Sequence, residues 1–318
     1  MRALLRDMPG GVPADCLVAR IKGRRSFLVH DWERVLLARQ PLTALPVAPW
    51  RSSATGAKGW PRRALQQEYY WAFSRMDEQE RRSTAPFFWL AELRTLALCL
   101  RFLSEGAADS SRLLQKSLLA GSIRELLNKG ESGAVVVEKL AELLEGHDPE
   151  FAGLPDIYRT GGSGAVETAL HEISLQWLAR TPLHPQMRRY IALEIDSRNL
   201  TTVAKRLRWR LGTLPPLLKG GSLPLPRLAE LFERRDNAGL LHQAMRLGGA
   251  APYSETTDPE RMLYEARRRV MRRLARETDG IGAILDYLWR CANEAANIGL
   301  LERLETAGIE QVGREVRL

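Results

Sequence analysis

The chain has 318 residues, 45% hydrophobic and 27% charged, the proportions of a folded protein with room for one large domain or two to three small ones. Its formal net charge is +9, carried mostly by arginine. This either reflects arginine-rich genomic usage or calls for nucleic acid, an anionic membrane surface or an acidic protein face as partner. No uncharged apolar run reaches the roughly 18 residues of a membrane span, since the best stretch, Phe87 to Leu103, is broken by Glu92, Arg94 and Arg101.

Met1 to Gly11 carries Arg2, Arg6 and Asp7 and lacks the apolar core of a secretory signal. Cys16, Cys99 and Cys291 cannot all pair, and none lies in a C-x-x-C motif. Cys99 and Cys291 sit in apolar helical segments and read as buried thiols, so a reducing, cytoplasmic setting is expected.

Helical periodicity runs through almost everything outside the loops. Asp15 to Arg39 reads as two helices with a turn near Gly23, and proline-rich Pro41 to Gly59 as a loop. Pro61 suits the first turn of a helix bearing Leu65, Tyr69 and Phe73. A long helix is expected over Pro86 to Glu105, closed by Gly106. Shorter ones follow at Ser110–Leu119, Ser122–Leu127 and Ala134–Leu144. Gly161-Gly162-Ser163-Gly164 reads as a flexible linker, then a helix stops before Pro182. Pro185 to Arg210 is long and amphipathic, with Gly212 and Pro215-Pro216 as its stop. Leu223–Arg235, Ala238–Leu247, Glu260–Glu277 and Gly280–Thr306 complete the helices. Val135-Val136-Val137, the one β-branched run, continues into Glu138-Lys139-Leu140 as helix, so the chain is expected to be all-α.

Within these helices a polar signature recurs about every hundred residues, the mark of a repeated unit. It reads Glu92-x-x-Thr95, Asp196-x-x-Asn199 and Glu294-x-x-Asn297, each followed by a basic residue (Arg101, Lys205, Arg303) and a glycine (Gly106, Gly212, Gly308). Positions i and i+3 share a helix face. Asparagine costs roughly 0.7 kcal/mol against alanine inside a helix, so its side chain is expected to be in use. The structural reading is an amide bridging to a loop, with a carboxylate capping a neighbouring helix or pairing with arginine. The functional reading, a binding or catalytic site in triplicate, is the less common arrangement. Thr95 replaces asparagine in the first copy, predicting a weaker or different bridge there.

Other constellations are weaker. His30, His147, His171, His184 and His242 show no metal-ligand spacing, and no nucleophile motif or phosphate loop is present. No catalytic, cofactor or metal residue is therefore expected. Arg261 to Arg276 lays a broad basic face on one helix. It reads as a solvated face or, through Arg268, Arg269, Arg272 and Arg273, as a contact for an acidic partner or phosphates. Lys205-Arg206-x-Arg208-Trp209-Arg210 is a second basic cluster, compatible with nucleic acid or with a helix C-terminal dipole.

Tyr190-Ile-Ala-Leu-Glu194-Ile-Asp196-Ser-Arg-Asn199-Leu200 resembles the E-x-D-x-x-N-L helix of the C-type subunits of V/A-type ATPases, the family whose eukaryotic vacuolar members are called d-type subunits. Tyr287-Leu288 through Glu294 and Asn297-Ile298 is similar to that family's closing helix. Lys219-Gly220-Gly221-Ser-Leu resembles its G-G-x-L connection, and Ala19-Arg20-Ile21 with Asp31-Trp32-Glu33 its opening. The resemblance implies three similar helical subdomains, 1–109, 110–213 and 214–318, arranged with pseudo-threefold symmetry as a funnel-like socket. The terminal segments are allowed to share a subdomain. It further implies a non-catalytic central-stalk subunit without cofactor. Such a subunit joins the rotor shaft to the membrane proteolipid ring from the cytoplasmic side, for proton or sodium transport. The alternative is a basic helical scaffold for nucleic acid or an acidic protein.

Overall fold

The computed structural model describes residues 2–38, 42–46, 59–105, 111–249, 259–277 and 280–302. The protein is all-α. Among the described residues the β-structure is one isolated antiparallel bridge, Leu5 with Leu119. In chain order the helices are α1 (Ala14–Arg25), α2 (Trp32–Leu37), α3 (Trp60–Arg75), α4 (Glu78–Ser104), α5 (Ser111–Leu114), α6 (Gly121–Asn128) and α7 (Gly133–Glu145). There follow α8 (Leu154–Arg180), α9 (Pro185–Arg208), α10 (Leu225–Glu233), α11 (Asn237–Gly248), α12 (Pro259–Leu274) and α13 (Ile281–Leu301). Two compact units form: Met1–Asp7 with Ser83–Arg273, and Met8–Arg82 with Leu274–Leu318.

In the first unit α7 packs against α6 and α8, and α9 against α8, α10 and α11. The aromatic cluster of α4 meets these helices. The buried Trp89 indole donates to Ser174 Oγ at 3.0 Å, and the Phe87 and Tyr190 rings lie 5.5 Å apart. A second apolar nucleus gathers Leu200 and Val203 of α9, Leu228 and Leu231 of α10, Leu240 of α11 and Met262 of α12. The extreme N-terminus is stitched into this unit, with the Arg6 N–H donating to the Leu118 carbonyl at 2.7 Å and the Ala120 N–H to that of Leu4 at 3.0 Å. In the second unit α13 packs against α3 and α1. Ile281, Ile284, Leu285, Leu288, Cys291 and Ile298 are buried at helical spacing.

The structure corrects several expectations. The helix expected to break near Gly23 runs on to Arg25, because the turn falls at residues 26–31. The helix expected to begin at Pro86 begins at Glu78. A capping box starts it: the Asp77 N–H donates to Glu80 Oε2 at 2.9 Å and the Glu80 N–H to Asp77 Oδ1 at 2.7 Å. Pro86 then sits inside the helix and leaves the Arg82 carbonyl without its helical donor. The division between the two units falls there, between Arg82 and Ser83. Gly161 to Gly164 is not a linker but lies inside α8, where Gly162 (φ 66°, ψ −164°) kinks the helix. At the end of α9 the left-handed residue is Arg210, not Gly212. The glycines Gly106 and Gly308, with Arg303 and most of the loop expected over 41–59, lie outside the described residues.

Candidate functional site

The three signatures occupy buried faces of α4, α9 and α13. Glu92, Thr95, Asp196, Asn199, Glu294 and Asn297 are all at most 5% exposed. A carboxylate at such a position must find donors, because an unpaired buried charge is strongly disfavoured. Each acid finds them on a loop backbone.

In the second copy Asp196 Oδ2 accepts from the Ser222 N–H at 2.8 Å and from Ser222 Oγ at 2.6 Å, and Oδ1 accepts from the Leu223 N–H at 3.1 Å. Three residues along, Asn199 meets one residue's backbone twice. Its Nδ2 donates to the Leu218 carbonyl at 2.9 Å and its Oδ1 accepts from the Leu218 N–H at 2.9 Å. The loop between is glycine because of that proximity: a Cβ at Gly221 would collide with Asp196 Oδ1.

The first copy repeats the chemistry. Glu92 Oε2 accepts from Ser117 Oγ at 2.9 Å and Oε1 from the Leu118 N–H at 2.6 Å. The partners are again consecutive Ser and Leu residues. They lie 25 and 26 residues beyond the acid in the first copy and 26 and 27 in the second. This recurring dipeptide is a signal that reading the helices alone passed over. In the third copy Glu294 Oε2 accepts from the Val29 N–H at 2.7 Å, a residue 265 positions earlier. The loop that follows the acid in the other copies is here supplied by the turn after α1.

A polar cluster not anticipated from the sequence holds α1 to the same helix. Glu68 of α3 accepts from Arg24 Nε at 2.7 Å and Nη2 at 2.5 Å, and from the Tyr287 hydroxyl at 2.5 Å. Asp286 lies 3.0 Å from Arg25 Nη1 and accepts from Arg290 Nε at 2.8 Å. The Arg24 guanidinium lies 4.0 Å over the Trp71 ring. Burial, helped by the neighbouring Cys291 and Glu68, pushes the Tyr287 hydroxyl far up, so it remains a donor. Burial also pushes up the Cys291 thiol. The signal available was a lone carboxylate in an apolar run: Asp286 between Leu285 and Tyr287, and Glu68 on the face of Ala64 and Ala72.

The arginines of α12 divide. Arg267 turns inward and pairs with Glu194, while Arg269, Arg272 and Arg273 are exposed and Arg268 is half-buried. Arg269 lies 3.8 Å from Glu265, and Arg273 Nη2 donates to the carbonyl of Gly249 at the end of α11 at 3.5 Å. Arg268 and Arg272 also have partners within the chain. His171 sits between α8 and α9 beside Glu172, Glu194, Arg198 and Arg267, and burial, then Arg198, lowers its pKa. Of the basic residues six positions past the signatures, Arg101 pairs with Glu167, and Lys205 is exposed. Among the described residues no His, Cys, Asp and Glu cluster has the makings of a metal site, and no helix is long and apolar enough to cross a membrane.

In this all-α protein the buried signature acids thus serve the chain's own loops. Residues 62–308 match the family model described as ATP synthase (C/AC39) subunit. The match spans most of the chain, and the chain belongs to this family, the non-catalytic C/AC39 subunits of V/A-type rotary ATPases. No curated protein matches it.

Proposed function

We propose that the protein is the central-stalk subunit of a V/A-type rotary ATPase or ATP synthase. It joins the central shaft to the membrane proteolipid ring and transmits torque for proton or sodium transport. It works at the cytoplasmic, inner face of the cell membrane through the complex, without cofactor. The proposal includes three similar helical subdomains, 1–109, 110–213 and 214–318, in pseudo-threefold arrangement, with the N- and C-terminal segments allowed to share one. The observation that carries it, beside family membership, is the repeated clasp: a buried acid on α4, α9 and α13, each holding a loop N–H. A part that transmits torque must resist shear. Charge-assisted hydrogen bonds in dry surroundings do so, because slipping any one strands buried polar groups. Arg268, Arg269, Arg272 and Arg273 are assigned to an acidic face of the shaft.

Affinity purification of the tagged chain from native membranes tests this. Shaft subunits and the proteolipid are expected in the eluate, with charge reversal of Arg269 and Arg273 lowering shaft recovery. A chain recovered alone from gently solubilised membranes overturns the reading.

A further inference from the structure

The end of α9 carries a surface that neither the clasps nor the stalk reading uses. The helix closes with the Arg210 N–H donating to the Leu207 carbonyl at 3.1 Å and the Leu211 N–H to that of Arg206 at 2.9 Å. Such a turn ordinarily places glycine at its left-handed position. Here Arg210 occupies it, at φ 53°, although Gly212 stands only two residues on. Residues 208–213 are all exposed, with Trp209 at 62% and Leu211 at 40%. Among the described residues Lys205, Arg206, Arg208 and Arg210 have no ion-pair partner. The helix dipole accounts for cations in the last turn. It does not account for a tryptophan and a leucine held in water beside them; the left-handed arginine itself recurs at Arg235, at the end of α10.

We propose that this tip, Lys205 to Leu211, docks on the anionic phospholipid surface of a membrane. Trp209 and Leu211 enter the headgroup layer, where tryptophan is favoured, and the four cations meet lipid phosphates. A single-stranded nucleic acid would stack on Trp209 and pair with the cations but gives Leu211 no place. This attraction goes beyond the stalk reading and needs no other subunit.

The purified full chain is sedimented with phosphatidylcholine vesicles, with and without phosphatidylglycerol. Binding is expected only with phosphatidylglycerol and weakens as salt rises. Arg210→Gly relieves the left-handed backbone, so it does not fail through misfolding, and it is expected to weaken binding about fivefold. Adding Arg208→Gln brings the loss to roughly twenty-five-fold, and Trp209→Ser weakens binding further. Absence of binding to phosphatidylglycerol vesicles overturns the proposal, as does binding untouched by these substitutions. Tip-dependent binding of oligouridylate without vesicle binding overturns it in favour of nucleic acid. Any of these failures leaves the membrane purification free to succeed, so the two readings fail separately.

Discussion

Asn199 gives the sharpest test of the clasp chemistry. Its amide donates to and accepts from the backbone of Leu218, and both residues are buried. Asn199→Ala removes two hydrogen bonds and leaves a buried N–H and a buried carbonyl without partners. Each stranded group costs about 1–3 kcal/mol, so about 3 kcal/mol is expected in total, with water entering the cavity offsetting the rest. Asn199→Asp is nearly the same size and keeps the acceptor for the Leu218 N–H. It sets a carboxylate against the Leu218 carbonyl, however, so it is expected to cost at least as much as alanine. Hydrogen exchange at the Leu218 amide is the assay, because a chain of two compact units need not unfold in one step. Protection is expected to fall by roughly two orders of magnitude in both variants. If Asn199→Asp retains the protection of the parent chain, the reciprocal amide bond is not what holds this loop.

The remaining predictions concern neighbouring features. Gly221→Ala places a Cβ against Asp196 and pushes the loop from its acid, so a loss of about 2 kcal/mol or more is expected. Gly212→Ala, with open space around it, is expected within about 0.5 kcal/mol of the parent when both variants are titrated with urea; equal effects at both positions would refute the close-approach argument. Tyr287→Phe deprives Glu68 of one of its donors and is expected to cost about 1.5–3 kcal/mol, which an unchanged urea midpoint would contradict. His171 has a lowered pKa, so the unfolded chain takes up its proton first as pH falls. The stability tied to neutral His171 is whole above its ordinary value of about 6.5 and declines below it. His171→Gln is expected to flatten the acid limb of the stability–pH curve, and an unaltered slope would rule this group out as a cause.

Much of the helical architecture could be read from short-range pattern. The 3.6-residue period of α9 and α13, and the run from Val135 into α7, depend on neighbours within a turn or two. Pro86 misled because a helix-start residue is also tolerated inside a helix when a stronger cap, Asp77 with Glu80, lies upstream. Gly161 to Gly164 misled because the composition that suits a linker also suits a kink within packed helix. The acids of the signature were visible as polar residues on apolar faces; their partners were not.

What the sequence determined by itself was the helical character of the protein and the identity of the polar residues that its buried faces would have to satisfy. Both follow from local chemistry, since helix propensity, capping and the cost of a mid-helix asparagine act within a few residues. What only the tertiary structure decided was which donor each buried acid would find. Asp196 takes Ser222 and Leu223 from a nearby loop, whereas Glu294 takes Val29 from the far end of the chain, and Glu68 takes Arg24 and Tyr287 from two other helices. A buried carboxylate requires some donor, and local sequence states that requirement. The packing of distant segments within each unit selects which donor meets it.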